Sequence, residues 1–215
     1  MKRWRYLRGI LLGMMVFVMT GCNKVEIPDE IVYPDVETPE QLPIVTMVIK
    51  DYGTIEAELY PQIAPNTVYN FISLIEEGFY NGLTIHRVDK GFVLQGGDPT
   101  GIGSGGPGYQ IVGEFAANGI GNDLKHTEGV LSMARSMEMD SAGSQFFIML
   151  GDFPHLDGSY AAFGKVISGM NIAHQLEELT VAPDGRPVDT EVIIESMTVN
   201  PFGVDYPDPQ TIALQ

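Results

Sequence analysis

Cysteine is nearly absent from this chain: its 215 residues hold one, Cys22. No internal disulfide is available, so the fold must be held by its apolar core alone. Basic residues are scarce as well, with 12 Lys and Arg against 28 Asp and Glu and a formal net charge of -16. That balance argues against a surface that gathers nucleic acid through phosphate contacts. Long apolar runs are missing; the most continuous one, residues 9–19, is too short to span a bilayer comfortably. The glycine run Gly101-Ile102-Gly103-Ser104-Gly105-Gly106 fits a dinucleotide-binding pattern, but Pro107-Gly108 follows it and no helical period begins there. Without a helix N-terminus at the glycines the pyrophosphate has no seat, so the run reads as a loop between strands. No nucleophile elbow surrounds any serine, and His86, His126, His155 and His174 are too scattered to spell a zinc helix. Neither a metal nor a cofactor is expected.

What is present starts with an export signal. Lys2, Arg3, Arg5 and Arg8 precede the apolar stretch, no acid precedes residue 22, and Thr20-Gly21 lead into Cys22. A basic start, a short apolar core and small residues make residues 1–21 a signal peptide. Removing it takes 4 of the 12 basic groups and leaves 8 against 28 acids, a net of -20. Thr20-Gly21-Cys22 resembles the lipobox of bacterial lipoproteins, with Met19 in place of the usual leucine. By that resemblance Cys22 is lipidated and anchors the protein outside the cytoplasm on the cell membrane. Residues 22–43, with Pro28, Pro34, Pro39 and Pro43 among six acids, read as a stiff, self-repelling spacer. Residues 201–215 are an unpatterned C-terminal tail.

Between these lies one domain, residues 44–200, patterned mostly with period two. Val45, Met47 and Ile49, then Ile55, Ala57 and Leu59, alternate with more polar neighbours around Asp51-Tyr52-Gly53, a hairpin with one wet face. Residues 65–77 change to a helical period behind Pro65 and end at Gly78. Short strands recur near 83–88, 92–96, 129–134, 145–149, 161–167 and 190–199, with a second helix near 170–179. Many short strands and two helices predict a mainly β fold, a closed antiparallel barrel plugged by helices.

Four segments remain to be explained: "IHRVDKGFVLQGGD" at 85–98, "GVLSMA" at 129–134, "GSQFFIML" at 143–150 and "HLDGSYAAFGKV" at 155–166. Alternation sets Gln145, Phe147 and Met149 on one face of a strand, combining a carboxamide with an aromatic ring as Gln95 and Phe92 do. Together with Ala64-Pro65-Asn66-Thr67-Val68 and Leu124-Lys125-His126-Thr127, these segments resemble the cyclophilin family of peptidyl-prolyl cis-trans isomerases over roughly residues 44–200. The resemblance implies a closed eight-stranded antiparallel barrel capped by two α-helices. It implies activity on proline-containing polypeptides as a monomer, with Arg87 as the catalytic arginine and His86 beside it. Phe92, Phe147 and Leu156 would wall the proline pocket, with Val93 where methionine is frequent and Gln95 helping to hold Arg87. Ala134 and Gln145 would line the peptide groove. Some positions depart from the family pattern: Ile85 for phenylalanine, Arg135 for asparagine, His155 for tryptophan and Tyr160 for histidine. Arg135, His155 and Tyr160 thus stand on the substrate-binding rim, with altered peptide preference expected. A cyclophilin-fold binding module or chaperone with little turnover is the alternative, and an exchange-rate assay separates the two.

Overall fold

The computed structural model describes residues 40–214. The signal segment, Cys22 and most of the spacer therefore lie outside the described residues. The hairpin forms as its alternation predicts: β1 (Ile44–Ile49) pairs antiparallel with β2 (Gly53–Leu59), Val45 opposite Ala57 and Met47 opposite Ile55. Helix α1 (Pro65–Glu76) follows, then β3 (Thr84–Asp89), β4 (Val93–Asp98) and the short β5 (Tyr109–Gln110). β6 (Val130–Met133), β7 (Phe146–Met149), β8 (Ala162–Ser168), α2 (Met170–Glu177), β9 (Ile194–Asn200) and β10 (Ile212–Ala213) complete the order.

Eight of these strands make one curled sheet in the order β3-β4-β7-β6-β8-β2-β1-β9. The expected closed barrel is not what forms. The end strands β3 and β9 form no ladder with each other: Thr84 bridges Ile193, just ahead of β9, with Ile85 N–H donating to the Val192 carbonyl, Ile194 N–H to the Leu83 carbonyl and Gly82 N–H to the Ile194 carbonyl. β9 begins at Ile194, so the chain beside the rest of β3 is a loop, whose Gly185 carbonyl accepts the Val88 N–H. A ladder cannot continue where one partner is not extended, and the sheet stays an open half-barrel.

Inside the curl, Phe71 of α1 meets the rings of Tyr80, Phe146 and Phe163 at centroid distances of 5.1, 5.3 and 5.0 Å. All four are fully buried. Each such side chain contributes about 1.5–3 kcal/mol, which is how a domain without disulfides is held. α1 has Pro at its first turn, as its sequence predicts, but Ala64 offers no side-chain cap. The cap comes from 48 residues away: the buried Glu114 carboxylate accepts from Asn66 N–H, Thr67 N–H and Thr67 Oγ1 at 3.1, 2.7 and 2.6 Å. An anion at a helix N-terminus satisfies donors that the helix itself leaves open and suits its dipole.

Between β3 and β4 the register slips. Ile85 faces Gly96 and Arg87 faces Gln95, which leaves His86 and Gly97 as unpaired extras. Gly97 has φ +84°, and a Cβ there would lie 2.3 Å from the Ser144 carbonyl oxygen, so only glycine fits. The bulge breaks strict alternation: Ile85 and Val88 point into the core, whereas Arg87 and Asp89 stay half-buried on the other face. Bulges re-aim side chains in this way.

Candidate functional site

That outer face carries a cross-strand row. Arg87 pairs with Gln95, Gln95 with Phe147 and Phe147 with Ser132, so β3, β4, β7 and β6 each place one residue side by side. A second small core of Val93, Val130, Phe147, Met149, Leu156 and Ala162 lies under this row. The segment from Phe153 to Tyr160, with a short 3-10 helix at Pro154–Leu156, folds over it. The result is a cavity of about 260 Å³ lined by Arg87, Phe92, Val93, Gln95, Ala134, Arg135, Phe147, Leu156 and Tyr160. Nine residues singled out in the sequence thus meet at one place.

The polar part of the site is a relay. Arg87 Nη1 donates to Gln95 Oε1 at 3.2 Å, Gln95 Nε2 donates to Gln145 Oε1 at 2.9 Å, and Gln145 Nε2 donates to the Gly105 carbonyl at 2.9 Å. Asp89, two positions on along β3, takes Arg87 Nη2 at 2.7 Å. The Arg87 stem packs against Gly185, where any Cβ would come within 3.0 Å of Arg87 Cγ. The guanidinium stands 5.8 Å from the Phe92 ring centroid. It is therefore fixed at the mouth of an apolar slot, charged and with directed donors. Gln145 lies just beyond the slot, in an adjoining compartment of about 560 Å³ that shares Gln95, Ala134 and Arg135 with it.

Two residues expected in the groove stand elsewhere. His86, the bulge residue, is buried with neither ring nitrogen hydrogen-bonded and lines a separate small pocket with Thr84, Arg186 and Glu191. As the residue next to Arg87 on β3 it points away from the Arg87 face, and the bulge leaves it buried without a cross-strand partner. Burial lowers its pKa below the ordinary 6.5, and the nearby Asp98 only partly offsets this. His155 is exposed and lies outside the cavity lining, stacked on the back of Phe92 at 6.4 Å. Tyr160 does line the cavity, edge-on to Phe147 at 5.9 Å. Arg135 stacks over Tyr160 at 4.7 Å and donates to the carbonyls of Ser159 and Ser136, so it braces the wall between the two compartments.

Sequence reasoning missed the backing of that wall. His126 stacks on Phe147 at 6.2 Å, with Nδ1 3.1 Å from Asp157 and Nε2 3.0 Å from Ser132 Oγ. The order serine, histidine, aspartate looks hydrolytic, yet Ser132 is 0% exposed and His126 2%. A hydroxyl sealed behind Phe147 cannot reach an acyl group, so the trio supports the ring. Desolvation holds the His126 pKa below 6.5 against the pull of Asp157. The signal for this network was one polar residue inside each of three motifs, which sequence alone does not pair.

The loop after β4 is tied by Asp98. Its carboxylate accepts from the Thr100 N–H and hydroxyl and from the N–H groups of Ile102 and Gly103. Burial acts to raise its pKa, but these bonds and one from Gly105 outweigh it and bring the group to about 2. No group of three or more His, Cys, Asp or Glu among the described residues could hold a metal ion.

Comparison with known proteins matches this arrangement. A family model for cyclophilin type peptidyl-prolyl cis-trans isomerase/CLD matches residues 44–199. Peptidyl-prolyl cis-trans isomerase B of Bacillus subtilis is 49% identical over 139 residues, 65% of this chain and 94% of its own. A Helicobacter pylori peptidyl-prolyl cis-trans isomerase is 47% identical over 128 residues, 59% of this chain and 76% of its own. Among solved structures, a Cryptosporidium parvum cyclophilin type isomerase crystallised in the presence of the dipeptide Ala-Pro superposes with a TM-score of 0.66 at 34% identity. The superposition covers 73% of this chain and 98% of that one.

Proposed function

Because this chain belongs to the cyclophilin-type peptidyl-prolyl cis-trans isomerase family and is such an isomerase, we propose that it turns X-Pro bonds of exported proteins by steadying the twisted amide with Arg87. The observation that carries this reading is the Arg87 guanidinium, clamped by Gln95 and Asp89 over a slot walled by Phe92, Phe147 and Leu156.

The chemistry needs little else. Rotation about a peptide bond faces a barrier of about 18–20 kcal/mol, because the nitrogen lone pair is shared with the carbonyl. At the half-turned point that lone pair is localised on nitrogen and can accept a hydrogen bond. A donor aimed at it acts mainly on the twisted state, which is differential binding. A guanidinium offers directed N–H donors and no acceptor, so Arg87 serves as donor and not as base. One charge-assisted bond contributes about 1.5–3 kcal/mol, which at about 1.4 kcal/mol per decade is tenfold to a hundredfold in rate. The slot supplies the rest by gripping the proline ring while the preceding carbonyl swings.

Arg87→Ala is expected to lower kcat/KM on a proline peptide at least tenfold, measured by NMR exchange, with an unchanged melting curve. Equal rates in the two proteins would remove Arg87 from the mechanism. For the location, the basic start, the short apolar run and Thr20-Gly21-Cys22 support a lipid anchor at Cys22 on the outer side of the cell membrane. One acyl chain binds membranes only marginally, so a diacyl form is the sufficient one. Cys22→Ala is expected to move the protein from the membrane fraction to the soluble exported fraction on cell fractionation.

A further inference from the structure

The C-terminal segment carries no pattern in the sequence, and it lies beyond the family match, which ends at residue 199. The structure ties it down at three points. Tyr206 packs its ring 5.9 Å from Tyr69. The backbone of Gln210 exchanges two hydrogen bonds with the side chain of Asn66, one from Asn66 Nδ2 at 2.9 Å and one to Asn66 Oδ1 at 2.8 Å. β10 then pairs antiparallel with β5, Ile212 opposite Gln110 and Ala213 opposite Tyr109. Tyr109 and Gln110 are themselves in the lining of the 560 Å³ compartment beside the proline slot, and so is Leu214. The tail is thus a strap whose end reaches the groove.

Leu214 is 57% exposed although three anchors precede it. Apolar side chains also line this compartment from two other segments: Pro107 and Tyr109 on one bank, Ala134 on the other. A lone exposed leucine needs no explanation. Apolar side chains on three separate segments around one cavity that opens onto the proline slot call for an apolar occupant. The substrate chain must run out of the slot, and the two compartments share Gln95, Ala134 and Arg135.

Building on the isomerase reading above, we propose that the C-terminal strap is a specificity element. It sets Leu214 into the wall of the outer compartment, where it favours polypeptides with an apolar side chain flanking the proline. The strap adds wall area without adding to the catalytic machinery, so it changes which substrate is turned over and not how.

The test compares full-length wild type, Leu214→Ala and Leu214→Glu on short proline peptides carrying Leu, Gly or Lys at each position flanking the Ala-Pro unit. Wild type is expected to prefer Leu over Gly at one flank. Leu214→Ala should shrink that ratio of kcat/KM about threefold, since the shortened side chain no longer covers the ligand's apolar surface. Leu214→Glu should raise Lys relative to Leu at the same flank. Identical ratios in the three proteins would overturn the proposal. A Leu214 methyl resonance that does not shift when the Leu-flanked peptide is added would overturn it as well. Absence of catalysed exchange in wild type would instead bring down the isomerase reading, and this proposal with it.

Discussion

Arg87 is held from two sides with unequal strength. The Asp89 ion pair is half in solvent, with 37% and 45% of the two side chains exposed, so screening leaves it a small part in stability. Its use is orientation: it pins one nitrogen while Gln95 pins another. Gln95 passes the constraint on through Gln145 to the Gly105 carbonyl, so the guanidinium is registered against the glycine loop as well as its own strand. Gln95→Leu keeps the volume and removes both bonds. One hydrogen bond amounts to about 0.5–1.5 kcal/mol, so kcat/KM should fall about threefold to tenfold while the melting temperature stays near wild type. NMR exchange on a proline peptide reads the first, and loss of the bonded Arg87 side-chain N–H signal reads the positioning role. Motif reading found Arg87 and Gln95, because donor and acceptor types sit in the stretch itself. It could not find His126, Ser132 and Asp157 as one unit, since their pairing spans 31 residues of chain.

At the scale of elements, the informative case is α1. Its period and its proline announce a helix, yet its N-terminal donors are met by Glu114, a residue with no sequence relation to the helix. Glu114→Ala would leave three buried donors unmet, and losing a cap alone typically costs about 1 kcal/mol. We expect at least about 2 kcal/mol less stability, measured as a lower urea midpoint, with kcat/KM preserved in native buffer. The β3–β4 pair shows the opposite limit of sequence reading. Both strands are legible from β-branched and apolar residues, but strict period two would put Ile85 and Arg87 on one face. The bulge at His86 and Gly97 separates them, and bulges follow from the fit of neighbouring strands. The family resemblance sets His86 beside Arg87 in the groove, and the structure places it outside the cavity lining.

For the whole molecule, acid sensitivity follows from two buried histidines. His86 and His126 both have folded pKa values below the ordinary 6.5 because burial disfavours their charged form. Above that value they are neutral folded or unfolded, and their contribution is complete. As pH falls below it the unfolded chain takes up protons first, so stability is lost on the way down through the folded values. Asp98, at about 2, and Asp157, also lowered, titrate below this window. The urea midpoint should therefore be lower at pH 5 than at pH 7.5, and a His86→Phe, His126→Asn double variant should flatten that difference relative to its own pH 7.5 value. The strongly acidic composition bears on solubility and partners and has no part in setting the fold.

Sequence by itself determined the strands, both helices, Arg87 and Gln95 within one motif and the family that the motifs spell, because each of these rests on residue type and short spacing. Only the tertiary structure decided that the sheet stays open, that Glu114 caps α1, that His126 backs Phe147 and that the C-terminal strap reaches the groove at Leu214. Those features depend on which distant segments share space once the core has closed. That choice is made by the packing of the whole chain, and no local pattern carries it.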